Sequence, residues 1–273
     1  MEQRLLFPGC LILARFQQYE LAAKAVLAKL GIEAVDMQAV ACCASSIVPP
    51  FSVDWVNLPA YNLSLAERQG FDIVTLCGSC TRTLRLTQEM LARDAGLKET
   101  VNRSLAAVGL AYQGTAKVSH LIEVISSKME EVGKSFRQKL DMRVSLSHPC
   151  NVMRPSQVMK FDDPWEPKKL REIVHATGAR VVDYDQEYEC CGATLLMVSE
   201  DWAIRAALAK LKSATLAGAE AMVVSCGNCF LVLKSMQDKV RKIEPGISLP
   251  VIFLPQIIGL SFGIDKKALG LEQ

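Results

Sequence analysis

The sequence predicts an α/β protein made of two tandem, similar α/β units with mainly parallel sheets and with cysteine loops at the strand ends. Three observations lead to this fold class. A cysteine pattern occurs twice, an apolar run precedes its last element in both copies, and helical patterns alternate with strand-like ones in both halves. Because parallel sheets place ligand-binding loops at the carboxyl ends of their strands, we expect both cysteine sets to lie there.

The repeated pattern consists of a single cysteine, an adjacent pair and a Cys-x-x-Cys element. In the first half 31 and then 33 residues separate these parts, and in the second half 39 and then 34. The neighbouring residues also repeat, since Pro8-Gly9-Cys10 corresponds to His148-Pro149-Cys150. The pattern therefore indicates an internal duplication. It includes every cysteine of the chain: Cys10, Cys42, Cys43, Cys77, Cys80, Cys150, Cys190, Cys191, Cys226 and Cys229.

Helical and strand-like segments follow one another in the same order in each half. Residues 19–30 and 167–177 have apolar side chains at helical spacing, and each segment ends near a glycine. Short β-rich runs follow at residues 32–35 and 180–182. This alternation predicts a small parallel sheet in each half.

A charged segment between the halves has leucine, valine and isoleucine at helical spacings, and we interpret it as a connecting segment with a solvated face. The predicted domains are a first cysteine-rich domain over residues 1–95, a helical connecting segment over residues 96–140, and a second cysteine-rich domain over residues 141–273.

Charge and hydropathy exclude several classes of partner. A net charge of +2, from 31 basic and 29 acidic residues, provides no field for binding nucleic acid. Glu2 and Pro8 do not fit a signal peptide, so we expect a cytoplasmic protein. Residues 245–264 carry no charge, but Pro250 and Pro255 divide them into a short strand and a helical turn. We therefore expect no membrane span.

The number of cysteines favours iron–sulfur chemistry. In a reducing compartment ten cysteines indicate metal binding or redox work rather than structural disulfides. Five thiols in each half exceed the four that a tetrahedral zinc ion uses, which points to a multinuclear cluster. Structural zinc and inert buried cysteines remain as alternatives. The spacing is not that of a ferredoxin, because no Cys-x-x-Cys-x-x-Cys run is present.

The combined pattern resembles the cysteine-rich CCG domain, and two tandem copies resemble the family of heterodisulfide reductase B subunits, including those of bacterial Hdr-like complexes. The resemblance implies two non-cubane [4Fe–4S] clusters, each held by all five cysteines of one motif. It rests on Pro8-Gly9-Cys10, Leu63-Ser64-Leu65-Ala66-Glu67, Asp72-Ile73-Val74-Thr75-Leu76-Cys77, Cys190-Cys191-Gly192-Ala193 and Pro255-Gln256-Ile257-Ile258-Gly259-Leu260.

The resemblance also implies an activity and partners. A small-molecule or protein-carried disulfide would be reduced, or thiols oxidised, between the two clusters. A ferredoxin-like iron–sulfur subunit and a flavin subunit would exchange electrons with this catalytic subunit. The implied ligands are Cys10, Cys42, Cys43, Cys77 and Cys80 for one cluster and Cys150, Cys190, Cys191, Cys226 and Cys229 for the other.

One position departs from the family pattern. The first motif has Cys42-Cys43-Ala44, whereas the second retains glycine in Cys190-Cys191-Gly192. If this backbone requires a positive φ or lies close to the cluster, alanine is strained or alters the amide hydrogen bonds to sulfur. We expect an occupied first cluster with altered properties.

The remaining polar candidates are few. His148 lies two residues before Cys150 and is the candidate catalytic residue, as a donor of a hydrogen bond or a proton. Arg154 is a candidate for binding an anionic substrate, or a surface arginine. His120 and His175 are interpreted as surface or capping residues.

Two other functions fit a cysteine-rich duplicated chain. One is the iron–sulfur electron-transfer subunit of a lactate- or glycolate-type oxidase, whose extended motif matches less well. The other is a zinc-stabilised scaffold that assembles other subunits.

Overall fold

The computed structural model describes residues 2–45 and 54–271, and within them each half of the chain forms a four-stranded parallel sheet. The strand order is β2-β1-β3-β4 in the first sheet and β6-β5-β7-β8 in the second. The strands are β1 (Glu2–Phe7), β2 (Ile32–Asp36), β3 (Ile73–Thr75), β4 (Val118–His120), β5 (Arg143–Ser147), β6 (Arg180–Val181), β7 (Ala221–Val224) and β8 (Val251–Phe253). All six strand pairings are parallel, which confirms the predicted fold class.

Helices cover the sheets and connect their strands. In the first half these are α1 (Cys10–Arg15), α2 (Gln17–Lys29), α3 (Asn57–Gln69), α4 (Gly78–Arg93), α5 (Ala95–Ala106), α6 (Leu121–Ser127) and α7 (Met129–Ser135). In the second half they are α8 (Ser156–Met159), α9 (Lys169–Ala176), α10 (Glu200–Leu216), α11 (Gly227–Phe230), α12 (Gln237–Ile243) and α13 (Leu254–Ser261).

The apolar patterns explain where these elements lie. Strands β3 and β7 are buried along their whole length, as expected for central strands of a parallel sheet covered on both faces. Helix α2 buries one stripe at helical spacing, formed by Tyr19, Ala22, Ala23, Val26 and Leu27. The predicted helices at residues 19–30 and 167–177 correspond to α2 and α9, and the runs that follow them correspond to β2 and β6.

The segment between the halves contains more than helices. Strand β4 lies within residues 96–140 and pairs with β3, so it completes the first sheet. Three residues are too few to show a strand period, so this strand could not be recognised in the sequence. The boundaries of the three predicted domains stay a prediction.

The uncharged stretch near the carboxyl end forms β8 followed by α13, as predicted. Across residues 2–45 and 54–271, the structure has no helix with the length and apolarity needed to span a membrane.

The two halves pack against each other reciprocally. Helix α4 of the first half contacts the turn Cys150–Val152 of the second, and α11 of the second half contacts α1 of the first. A β-carbon added at Gly78 would lie 3.3 Å from Val152 Cγ2, and one added at Gly227 would lie 3.2 Å from Ile12 Cγ1. The residues after the two central strands thus meet near the middle of the molecule.

Aromatic rings reinforce this contact. Tyr19 of the first half stacks on Phe253 of the second, with ring centroids 4.1 Å apart. Phe253 in turn stacks on Phe230 at 4.1 Å, and Phe230 meets the edge of Phe16 at 4.9 Å. These rings join the halves into one core, where each pair adds roughly 0.5–1.5 kcal/mol beyond its buried area.

Candidate functional site

The single cysteines and the Cys-x-x-Cys elements lie where the sequence predicts them, at the carboxyl ends of parallel strands. Cys10 follows β1, Cys77 and Cys80 follow β3, Cys150 follows β5, and Cys226 and Cys229 follow β7. All ten cysteines are free thiols. The parallel topology alone explains this gathering, because these strand ends lie along one edge of each sheet.

The first cysteine group contains thiol-to-thiol contacts. Cys10 hydrogen-bonds to Cys42, and Cys80 hydrogen-bonds to both Cys43 and Cys77. The hydrogen bond from Cys80 lowers the pKa of Cys43 to about 6, although burial opposes this shift. The same bonds raise the pKa of Cys80 well above its ordinary value. The group therefore already holds a thiol that ionises readily beside one that does not.

The second cysteine group repeats this arrangement. Cys229 hydrogen-bonds to Cys191 and Cys226, which raises the pKa of Cys229 and lowers that of Cys226. The pKa of Cys191 is lowered first by Cys190 and then by Cys229. Cys190 hydrogen-bonds to Cys191 and has a raised pKa. Burial, followed by the charges of nearby thiols, raises the pKa of Cys150 to about 11. Cys229 thus has the role in this half that Cys80 has in the first.

The two groups touch each other. The Cys77 thiol hydrogen-bonds to Cys226, which raises the pKa of Cys77 and helps to lower that of Cys226. A side-chain bridge lies beside this contact, because Ser79 Oγ accepts hydrogen bonds from Asn151 Nδ2 at 3.0 Å and from Asn228 Nδ2 at 2.9 Å. The fold therefore builds two neighbouring thiol sites rather than two distant ones.

The backbone after each cysteine pair adopts the conformation that favours glycine. Ala44 has φ 63° and Gly192 has φ 90°. Their amides donate to the sulfur two residues earlier, Cys42 Sγ and Cys190 Sγ, at 3.4 Å in both halves. The backbone at Ala44 therefore has the positive φ that was expected to strain an alanine. This left-handed conformation costs a non-glycine residue about 1–2 kcal/mol. The amide hydrogen bond to sulfur is nevertheless retained.

The donor set fits iron–sulfur clusters. Thiolates are soft, charged ligands of the kind such clusters take, and each half supplies five of them. Gly9 has φ +88°, and a β-carbon there would lie 2.9 Å from Cys80 Sγ, so the backbone leaves room beside this sulfur. Within residues 2–45 and 54–271, no three His, Cys, Asp or Glu side chains are arranged to hold a single metal ion.

His148 belongs to a buried polar network beside the second group. Its Nε2 lies 2.9 Å from Glu187 Oε1, and Arg171 Nη2 donates to Glu187 Oε2 at 2.7 Å. Burial raises the pKa of Glu187, but the bonds from His148 and Arg171 outweigh it and the pKa lies below its ordinary value. His148 Nδ1 is buried without a hydrogen-bond partner in the described structure.

A cavity of about 130 Å³ opens onto the second group. Its wall contains His148 and Arg154, together with the rings of Trp165 and Tyr188. Arg154 Nε donates to Pro164 O at 2.8 Å, and its guanidinium lies 5.1 Å from the centre of the Trp165 ring. The cysteines in the wall are Cys150, Cys190, Cys191 and Cys229.

The other two histidines lie elsewhere in the fold. His120 ends β4, and its buried Nδ1 accepts a hydrogen bond from the Ile122 amide at the start of α6. This is one of the two roles expected for it, namely capping. His175 lies in the last turn of α9.

Sequence reasoning missed two buried charged residues near the second group, Glu187 and Lys210. Glu187 offered no signal, because it lies in an irregular loop. Lys210 did offer one, since it occupies the apolar stripe of α10 otherwise formed by Ala203, Ile204, Ala207, Leu211 and Ala214.

The fold and its paired thiol groups define a protein with tandem cysteine-rich domains. The sequence matches the family described as "Cysteine-rich domain" (CCG) twice, over residues 5–85 and 144–234. Similarity to curated proteins extends over almost the whole chain, and the chain belongs to the family of heterodisulfide reductase B subunits.

Three relatives illustrate the range of this similarity. The chain is 33% identical to the B subunit of the ferredoxin/F(420)H(2)-dependent CoB-CoM heterodisulfide reductase of Methanosarcina acetivorans, covering 98% of this chain and 92% of the relative. It is 33% identical to a protein of Archaeoglobus profundus described as similar to the heterodisulfide reductase B subunit, covering 96% and 91%. It is 30% identical to the membrane anchor subunit of the 8-methylmenaquinol:fumarate reductase of Wolinella succinogenes, covering 97% and 94%.

The fold is also found among solved structures. A hypothetical protein from Helicobacter pylori superimposes with a TM-score of 0.79 at 19% identity, covering 99% of this chain and 51% of that one. This likeness shows the fold, whereas the curated relatives support a redox role within a complex.

Proposed function

We propose that this chain is the catalytic iron–sulfur subunit of a heterodisulfide reductase-like complex, in which it reduces a disulfide or oxidises thiols. Its two cysteine groups would each hold a non-cubane [4Fe–4S] cluster. The observation that carries the proposal is that the two groups lie side by side. Ser79, inside the first Cys-x-x-Cys element, accepts hydrogen bonds from Asn151 and Asn228, which each lie next to a cysteine of the second group. The ligands would be the five cysteines of each half.

The chemistry requires two electrons and two protons. Cleavage of one disulfide breaks one S–S bond and yields two thiols, and thiol oxidation is the reverse. When bound, two such clusters supply the two electrons, one from each. A fold that brings two equivalent thiol groups together is suited to a reaction that needs two electrons.

The cavity beside the second group is the proposed place for one half of the substrate. Trp165 and Tyr188 provide apolar walls, and Arg154 provides a fixed positive charge for an anionic substrate. His148 is held through Nε2 by Glu187, which leaves Nδ1 to hold or deliver a proton to a product sulfur. Arg171 keeps Glu187 ionised, so the imidazole stays oriented.

The expected partners follow from the cysteine pattern and from the relatives. Every cysteine belongs to the duplicated pattern, which leaves none for additional ferredoxin clusters. We therefore propose that a ferredoxin-like iron–sulfur subunit and a flavin subunit exchange electrons with this chain, in the cytoplasm. The names of several relatives include ferredoxin as a redox partner.

A second candidate function is electron transfer without disulfide chemistry. It is favoured by the 30% identity to a component of 8-methylmenaquinol:fumarate reductase. In that case the clusters would pass electrons between a quinol and another subunit. The iron–sulfur electron-transfer subunit of a lactate- or glycolate-type oxidase is the other role of this kind. The cavity next to Cys150 and Cys190 would then hold no disulfide substrate.

The first experiment measures iron, zinc and acid-labile sulfide on anaerobically purified protein, with electron paramagnetic resonance after treatment with thiol and oxidant. About eight iron atoms per chain and a thiol-dependent signal support the proposal. Iron without any thiol-dependent signal supports the electron-transfer candidate. Zinc without sulfide contradicts both and supports a scaffold.

A matched pair of variants tests the role of His148. His148→Gln should lower the rate of disulfide reduction by a reduced dye about 10²-fold or more, with normal iron content and an altered pH profile. His175→Gln, which changes a histidine outside the site, should keep the wild-type rate. Equal rates in both variants would exclude the proton role of His148.

A further inference from the structure

Lys210 is a lysine enclosed in the protein core. It lies on the buried side of α10 and only 1% of its surface is exposed. Burying a charged side chain without partners is strongly unfavourable, so its surroundings must compensate.

Three backbone carbonyls surround the Lys210 Nζ atom. They belong to Gln186 at 2.6 Å, Glu187 at 2.9 Å and Glu189 at 2.9 Å. Three acceptors need three N–H donors, which an ammonium group has and a neutral amine lacks. The Tyr184 ring adds a face 5.4 Å from Nζ. Glu189 directly precedes Cys190, so the lysine is bound to the loop that presents the second cysteine pair.

The first half has an uncharged counterpart at the equivalent position. Asn62 of α3 and Lys210 of α10 each lie eight residues before the positive-φ glycine that follows their helix, Gly70 and Gly218. The buried Asn62 side chain donates to Ala41 O at 3.0 Å and accepts from Ala41 N at 2.8 Å. Ala41 precedes Cys42 as Glu189 precedes Cys190.

The duplication has therefore kept an anchor for the cysteine-pair loop in both halves but has changed its charge. Burial lowers the pKa of Lys210, whereas the nearby thiols of Cys229 and Cys191 raise it. The hydrogen bond from Nζ to Glu189 O, one residue before Cys190, places the ammonium beside the second cysteine group. Glu187 is the nearby anion, and Arg171 pairs with it.

We infer that Lys210 is a positioning residue whose buried charge makes the second centre easier to reduce than the first, an inference that rests on the proposed function. Reduction adds negative charge to a cluster held by thiolates. A fixed cation in a poorly screened interior stabilises that reduced form, whereas the amide of Asn62 contributes no net charge. The centres of the two halves then differ in potential although their ligands match.

The test is a redox titration followed by electron paramagnetic resonance on iron-loaded protein. Lys210→Gln removes the charge and keeps N–H donors for the carbonyls. This variant should retain the iron. The higher of the two midpoint potentials should fall by at least about 59 mV, which corresponds to a tenfold change in the one-electron reduction equilibrium. The control is Lys212→Gln, an exposed lysine on the same helix that pairs with Glu244, and it should leave both midpoints unchanged.

Each outcome bears on one of the two proposals. Iron-loaded Lys210→Gln with wild-type midpoints overturns the inference and leaves the proposed function intact. A wild-type chain without iron and sulfide overturns the proposed function and the inference with it. If Lys210→Gln does not load iron, the Asn62→Asp variant is measured instead. Its negative charge in the first half should decrease the more negative of the two midpoint potentials. Unchanged midpoint potentials in Asn62→Asp would overturn the inference.

Discussion

Exchanging glycine and alanine after the cysteine pairs should affect the two halves unequally. In Gly192→Ala, the new β-carbon would lie 2.9 Å from the Ala203 carbonyl oxygen and 2.9 Å from Ala206 Cβ, at a residue with φ +90°. Left-handed strain of about 1–2 kcal/mol adds to overpacking of about 1–3 kcal/mol. We expect the free energy of unfolding to fall by about 3 kcal/mol.

The reciprocal change should have little effect. Ala44 already fits its buried position with φ 63°. Ala44→Gly relieves about 1–2 kcal/mol of strain, but the freer unfolded chain offsets about 0.5–1 kcal/mol of that gain. The free energy of unfolding should therefore rise by no more than about 1.5 kcal/mol.

The assay is urea and thermal unfolding of both variants beside the wild type, with iron measured on the same samples. Gly192→Ala should lower the melting temperature by about 6–12 °C and lose iron from the second centre. Ala44→Gly should keep both close to the wild-type values. A Gly192→Ala variant as stable and as iron-rich as the wild type would refute the reasoning from φ and contact distance.

Three further changes test other parts of the site. Gly9→Ala places a β-carbon 2.9 Å from Cys80 Sγ, so the first centre should lose its iron. Metal analysis should then show about half the wild-type iron, and a full iron content would contradict this prediction. Ser79→Ala removes the hydroxyl that accepts hydrogen bonds from two side-chain amides of the other half. The free energy of unfolding in urea should fall by about 1–3 kcal/mol, and an unchanged value would show that water replaces the hydroxyl. Because the pKa of Glu187 is lowered on folding, its ionised form stabilises the protein at neutral pH and this contribution disappears as pH falls below 4.5. Unfolding curves of the wild type and Glu187→Gln should therefore differ at pH 7 by about 2 kcal/mol and converge in acid, and a constant difference would show that the ion pair with Arg171 is not responsible.

Much of the fold followed from the sequence because its signals are local and repeated. The cysteine spacing shows the duplication, and the apolar runs before Cys77 and Cys226 locate the central strands. Strand β4 escaped prediction because its three residues have no measurable period. The strain at Ala44 could also be predicted from the sequence, because the second copy of the motif has glycine at the corresponding position.

The parts that the sequence could not predict depend on contacts between distant residues. The bond of His148 to Glu187 joins residues 39 positions apart, and the contact between Cys77 and Cys226 joins the two halves. No local pattern encodes either of them. Lys210 lies between these cases, because its place on an apolar stripe was visible but its three carbonyl partners were not.

The reciprocal contacts around Gly78 and Gly227 have a consequence for how such a chain can arise. Each unit packs its own Cys-x-x-Cys helix on the single-cysteine segment of the other unit. A protein with one unit could make the same contacts only as a two-fold symmetric dimer, with equivalent surfaces on both copies. Fusion of two copies into one chain removes that symmetry requirement, so each half can then change independently, as Ala44 and Lys210 illustrate.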